Sequence, residues 1–212
     1  MKENTLNAAQ TMSEHPATNS EEWYYKFVTE CAKARRDVKI PNGKAEHARF
    51  LISVFFEHAS KHIRLFSGSL KQAIEKDGDV TEIYRWPNLI SSVICFLQKP
   101  NTHLDIIVAS KIDGGIDNHP LLNAIYNMGE DYRNKVDVRE LNARGITPWL
   151  SPHFLVADST GYRIEVDDKN VKAFANFNEE KVASRLEKAF DKLKLRGKEI
   201  PVFSSTALAS LA

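Results

Sequence analysis

The residues of this chain whose types and spacing suit chemistry gather between positions 151 and 177. Ser151-Pro152-His153-Phe154-Leu155-Val156-Ala157-Asp158 sets a histidine near the start, and an acid at the end, of an apolar run that reads as a strand. Gly161-Tyr162-Arg163-Ile164-Glu165-Val166 reads as the return strand, and Lys172-Ala173-Phe174-Ala175-Asn176-Phe177 as a small-residue edge opening the last helix. An imidazole can act as nucleophile, acid or base, and a carboxylate and an amide nearby can orient it. Each of the three polar residues also has a plainer role. His153 suits a half-buried strand histidine bonded to a backbone carbonyl, Asp158 a cap of the Ser159-Thr160-Gly161 turn, and Asn176 an N-cap of the following helix.

The elements that must position this edge follow a helix-then-strand rhythm. Residues 44–60 form a helix with Phe50, Leu51, Val54, Phe55 and His58 on one face, and His62 to Phe66 a short strand. Pro87 opens a second helix with Leu89, Ile90, Val93, Ile94 and Leu97 inside, Pro100 stops it, and Leu104 to Ala109 is a nearly continuous apolar strand. His119-Pro120 opens a third helix, followed by the alternating run Val136 to Leu141. Three such rounds imply right-handed crossovers. The expectation is an α/β fold: a mixed, mostly parallel sheet with helices on both faces, in which the segments near Ile63, Ile106, Val138 and Val156 are neighbouring strands. Residues 179–196 form the closing helix, with Gly197 ending it.

The chain outside this frame divides simply. Residues 1–20 carry almost no apolar periodicity and read as a disordered lead. Residues 21–42 form a helical extension in which Trp23, Phe27, Cys31 and Ala34 recur at helical spacing, residues 43–197 the α/β domain, and residues 198–212 a tail. The 212 residues are 42% hydrophobic and suffice for one substantial core. With 29 basic against 28 acidic residues no global field draws the chain to nucleic acid or membrane, so any phosphate site must be local. Cys31 and Cys95 stand alone in apolar segments and read as buried thiols. With no basic start leading into an apolar run and no stretch of about 18 apolar residues, a cytoplasmic protein without a transmembrane segment is expected.

In order and spacing, residues 44–196 resemble a single phospholipase D-like domain. That superfamily carries a His, a Lys two residues on and an Asp five beyond the Lys, followed by a Gly-Ser-x-Asn-Phe segment. Two registers are open here. With Asp158 at the family Asp, Ser151 takes the His place and His153 the Lys place; with His153 at the family His, Leu155 takes the Lys place and the Asp falls two residues early. The resemblance implies His153, Asp158 and Asn176 as catalytic-site residues, with Ser151, Arg163, Lys169 and Lys172 as phosphate contacts. Because the family assembles its site from two copies of the signature, a single-copy chain implies a homodimer.

Other templates fit less well. Ser67-Gly68-Ser69 lacks the Gly-x-Ser-x-Gly elbow, and Gly114-Gly115 has no dinucleotide or Walker context. His47, His58 and His62 cluster near one helix end without an obvious third ligand, so no metal site and no cofactor are expected. Two function classes follow. One is a degenerate phospholipase D-like module that binds a phosphate-containing ligand, nucleic acid among them, or a protein partner. The other is an active, metal-independent dimeric phosphodiesterase or nuclease using His153. Absence of the motif Lys in either register favours the first, because lost charge stabilisation is costly in rate.

Overall fold

A computed structural model of the chain describes residues 20–68, 70, 73–76, 79–109, 112, 115–141, 153–167 and 172–203. Helix α1 (Ser20–Lys33) places Glu21 and Glu22 in its first turn and Lys33 in its last, matching charge to the helix dipole. The face it buries is displaced from the one expected: Tyr24, Val28, Cys31 and Ala32 point inward while Trp23 is 58% exposed. Tyr24 decides the rotation, because its ring stacks on His47 at 3.7 Å and its hydroxyl donates to the Pro41 carbonyl at 3.2 Å. Strand β1 (Ile40–Asn42), expected as the end of the helical extension of residues 21–42, then joins the main sheet. Helix α2 (Ala45–His58) buries Leu51, Ile52, Val54, Phe55 and Phe56.

Strand β2 (His62–Ser67) leads through a separate hairpin of β3 (Ala73–Lys76) and β4 (Asp79–Glu82) into helix α3 (Pro87–Gln98). Then come β5 (His103–Val108), helices α4 (Pro120–Asn127) and α5 (Glu130–Arg133), and β6 (Val136–Glu140). The chain closes with β7 (Phe154–Ala157), β8 (Gly161–Asp167), β9 (Lys172–Asn176), helix α6 (Glu180–Lys194) and β10 (Lys198–Glu199). Eight strands form one sheet in the order β1-β9-β8-β7-β2-β5-β6-β10. The expected neighbours are found: Val156, Ile63, Ile106 and Val138 lie on β7, β2, β5 and β6, side by side.

The expectation of a mostly parallel sheet is corrected. Only β2 with β5 and β5 with β6 are parallel, joined by helical crossovers, and the other five neighbouring pairs are antiparallel. The helix-strand rhythm stops after β6, and β7 to β8 turn back through three residues, a linkage only antiparallel strands can use. Asp158 and Ser159 carry that turn at φ 49° and 62°.

Helices cover both faces, as expected. One face packs Ile63, Leu65, Leu104, Ile106, Val138 and Leu155 against α1 to α4. The other packs Phe66, Ile107, Phe154, Val156 and Tyr162 against Ala183, Phe190 and Leu193 of α6. Cys31 is buried as expected, but Cys95 is exposed, because α3 turns Leu89, Val93, Phe96 and Leu97 inward and Cys95 falls on its outer side. Among the described residues no helix is long and apolar enough to cross a membrane.

Candidate functional site

His153 stands immediately before β7, where the pairing of Phe66 with Phe154 brings it beside the end of β2. The Gly68 amide donates to His153 Nε2 at 3.0 Å, so Nε2 is the unprotonated ring nitrogen and the neutral ring carries its proton on Nδ1. Nδ1 faces Glu165 Oε2 at 3.4 Å. An imidazole whose inner nitrogen is set by a carboxylate and whose outer nitrogen carries a lone pair has the orientation that nucleophilic or proton-transfer chemistry needs.

The sheet explains why Glu165 is there. Arg163 and Glu165 alternate onto the same face of β8, opposite Ala175 and Ala173 of β9. Those two small side chains leave a lane across which Arg163 Nε donates to Asn42 Oδ1 on β1 at 2.9 Å. Arg163 Nη2 also lies 3.4 Å from Glu165 Oε1, and the two side chains are 2% and 1% exposed. The result is a polar row that runs from half-buried His153, just ahead of β7, through the buried side chains of Glu165 and Arg163 on β8 to Asn42 on β1. Tyr84 is buried close enough to the row for the Arg163 and Glu165 charges to act on its phenol. Burial pushes the Tyr84 phenol up to about 12, an effect the Arg163 charge opposes and the Glu165 charge reinforces.

Gly68 is required by space. A Cβ there would come within 2.7 Å of His153 Nε2. Gly68→Ala is expected to displace the imidazole and cost about 1–3 kcal/mol by overpacking. Thermal unfolding and the ring resonances of His153 check this.

The structure separates Asp158 and Asn176 from His153. Asp158 lies at the far end of β7, where its carboxylate accepts from the amides of Ser60, Lys61 and His62 at 2.7, 2.8 and 2.9 Å and from the Ser60 hydroxyl at 2.9 Å. Burial raises the Asp158 carboxyl, but the amides of His62, Ser60 and Lys61 outweigh it and hold the group below its ordinary range. Asn176, at the same end of the sheet, donates to Asp37 at 2.8 Å and accepts from the Asn178 amide at 2.8 Å, shaping the turn into α6. Glu179 of that turn accepts from the Tyr162 hydroxyl at 2.6 Å. Arg163 is interior and engaged, whereas Lys172 is exposed at the start of β9, on the His153 end of the sheet. Ser151 and Lys169 lie outside the described residues.

Glu165, Gly68 and Tyr84 were missed by sequence reading. The available signal was the alternation Arg163-x-Glu165 inside an otherwise apolar strand, which demands a buried partner for each charge.

No family model matches the sequence, and no curated protein matches it in sequence. In structure it is similar to TrmBL2, an archaeal chromatin protein with a novel mode of DNA binding, at 10% identity and a TM-score of 0.54. That match covers 85% of this chain and 62% of TrmBL2, so the chain spans less than two thirds of that protein's length. It is also similar to the phospholipase D family member Nuc from Salmonella typhimurium, at 12% identity and a TM-score of 0.49, over 77% of this chain and 99% of that one. NucT from Helicobacter pylori has 8% identity and a TM-score of 0.49 over the same shares. At these identities the likeness is one of fold alone, and that fold is a mixed α/β sheet covered by helices on both faces.

Proposed function

We propose that this chain is a phospholipase D-like module that binds a phosphate-containing ligand, nucleic acid foremost, at the sheet end carrying His153. The observation that carries this reading is the Gly68 amide and His153 Nε2 facing one another above the buried Glu165. A phosphate oxygen entering between them takes the Gly68 N–H, and His153, protonated at Nε2, becomes a second donor with Glu165 behind it as counter-charge. Lys172 is an exposed cation at this end of the sheet, while Arg163 is held in the interior by Glu165 and Asn42. DNA binding by TrmBL2, on a similar fold, supports a nucleic-acid ligand. In the same reading two copies meet through the face carrying residues 151–178, which sedimentation at micromolar concentration tests.

One observation favours a second reading, turnover by His153: the Glu165 carboxylate behind Nδ1 supplies the orientation a nucleophilic histidine needs. The two readings separate in one experiment. Wild type and His153→Ala are titrated with inorganic phosphate and with single-stranded and duplex oligonucleotides, and the same samples are examined for cleavage without added metal. Binding is expected to weaken about tenfold or more in His153→Ala, the scale of one charge-assisted hydrogen bond. Cleavage that His153→Ala abolishes makes the chain an enzyme, and binding unchanged in the variant rules out this site.

A further inference from the structure

A second cluster of chemistry-bearing side chains occupies the opposite end of the sheet, on the face covered by α6. His62 and His103 are paired at the first positions of the parallel strands β2 and β5, and Asp105, two residues along β5, projects from the same face. His62 Nε2 lies 2.8 Å from Asp105 Oδ2, and His103 Nε2 lies 3.1 Å from Asp105 Oδ1. One ligand atom from each of the three residues falls within 4.8 Å of the others. Sequence reading placed His62 with His47 and His58 and found no third ligand; the partners come instead from the neighbouring strand.

We propose that His62, His103 and Asp105 bind a divalent transition-metal ion of the zinc type. Two imidazole nitrogens and one carboxylate oxygen form a donor set suited to zinc rather than to magnesium or calcium, which favour oxygen ligands. The spacing also fits. Tetrahedral bonds of about 2.0–2.1 Å put ligand atoms roughly 3.3 Å apart, so the two imidazoles need to open only slightly from their present hydrogen bonds to Asp105. Asp105 is buried and fixed, whereas His62 is 27% and His103 41% exposed, which leaves the outward coordination position to water or a ligand.

Lys194 from the last turn of α6 governs this site. Its ammonium lies 2.8 Å from Asp105 Oδ1 and 3.0 Å from Asp137 Oδ2, so it occupies the counter-charge position a cation would take. An entering ion displaces it toward Asp137, which already accepts it and is also paired with Arg139 at 3.1 Å. Metal and lysine thus compete for one carboxylate, and Lys194 sets the affinity.

The test uses the full chain, stripped with a chelator and dialysed. Zinc is titrated by calorimetry, and cobalt(II) by visible absorption, which reports coordination geometry. The expected result is one high-affinity ion per chain with a four-coordinate cobalt spectrum. Affinity should fall beyond the 10- to 100-fold typical of losing an outer-shell partner in His103→Ala and in the more conservative His103→Gln, with far-ultraviolet dichroism confirming that both fold. Lys194→Met should tighten binding at least about fivefold, since a like charge near 4 Å is removed. His153→Ala, at the other end of the sheet, should bind the ion as wild type does. No uptake at micromolar zinc, or uptake unchanged in folded His103→Ala, would overturn the proposal.

Discussion

Arg163→Met is expected to be the most damaging single substitution in the polar row, lowering stability by about 3–5 kcal/mol. The guanidinium is the counter-charge of Glu165 and the donor to Asn42 Oδ1, and its removal leaves a carboxylate that is 1% exposed without its cation. The cost is that of a stranded charge, larger than the net worth of the pair itself. A double variant, Arg163→Met with Glu165→Gln, should therefore be more stable than Arg163→Met alone, since it removes the unpaired charge while keeping a polar group facing His153. Urea unfolding of the wild type, both single variants and the double variant closes the cycle. A loss below about 1 kcal/mol in Arg163→Met would mean the row is hydrated rather than dry.

Asp158→Ala is expected to cost about 3 kcal/mol, and to leave phosphate binding untouched. Three amides and a hydroxyl of the segment leading into β2 end on this one carboxylate, so it ties the β7–β8 turn to the end of α2. It also sits at φ 49°, a region Asp and Asn enter more readily than Ala. Asp158→Asn tolerates that conformation and cannot titrate, though its amide NH2 forfeits the hydrogen bonds that one carboxylate oxygen accepts, which makes it the non-titrating reference for pH work. The hydrogen bonds hold the folded-state carboxyl below its unfolded value. Its stabilisation is thus fully present above about pH 4 and is lost as the pH falls through the folded-state value. Wild type should lose stability on acidification below about pH 4 more steeply than Asp158→Asn, measured as the urea midpoint against pH.

The order of helices and strands was legible because each element carries its own period, and the central four strands followed from it. Strand direction was less so. The rhythm through β6 has the same signature whatever follows, and only the short turn at 158–160 announces the antiparallel half of the sheet. Spacing grouped Asp158 and Asn176 with His153, but a strand of four residues is long enough to carry residue 158 to the opposite end of the sheet from residue 153. Glu165 escaped because its role depends on Ala173 and Ala175 opening a lane on the adjacent strand, a cross-strand relation that no local spacing displays. Trp23 and Cys95 point outward for a similar reason. Helices α1 and α3 each offer more than one apolar stripe, and packing against their neighbours selects among them.

The central claim, a phosphate site built on a Glu165-oriented His153, is tested most directly by nitrogen-15 imidazole spectroscopy of His153 during a phosphate titration. In the free protein at neutral pH the account predicts a ring protonated at Nδ1 whose unprotonated Nε2 accepts from the Gly68 amide. Added phosphate should protonate Nε2 and shift the His153 signals saturably, with the ring of His119 unmoved. The opposite tautomer in the free protein, or phosphate binding that leaves His153 unchanged, would contradict it.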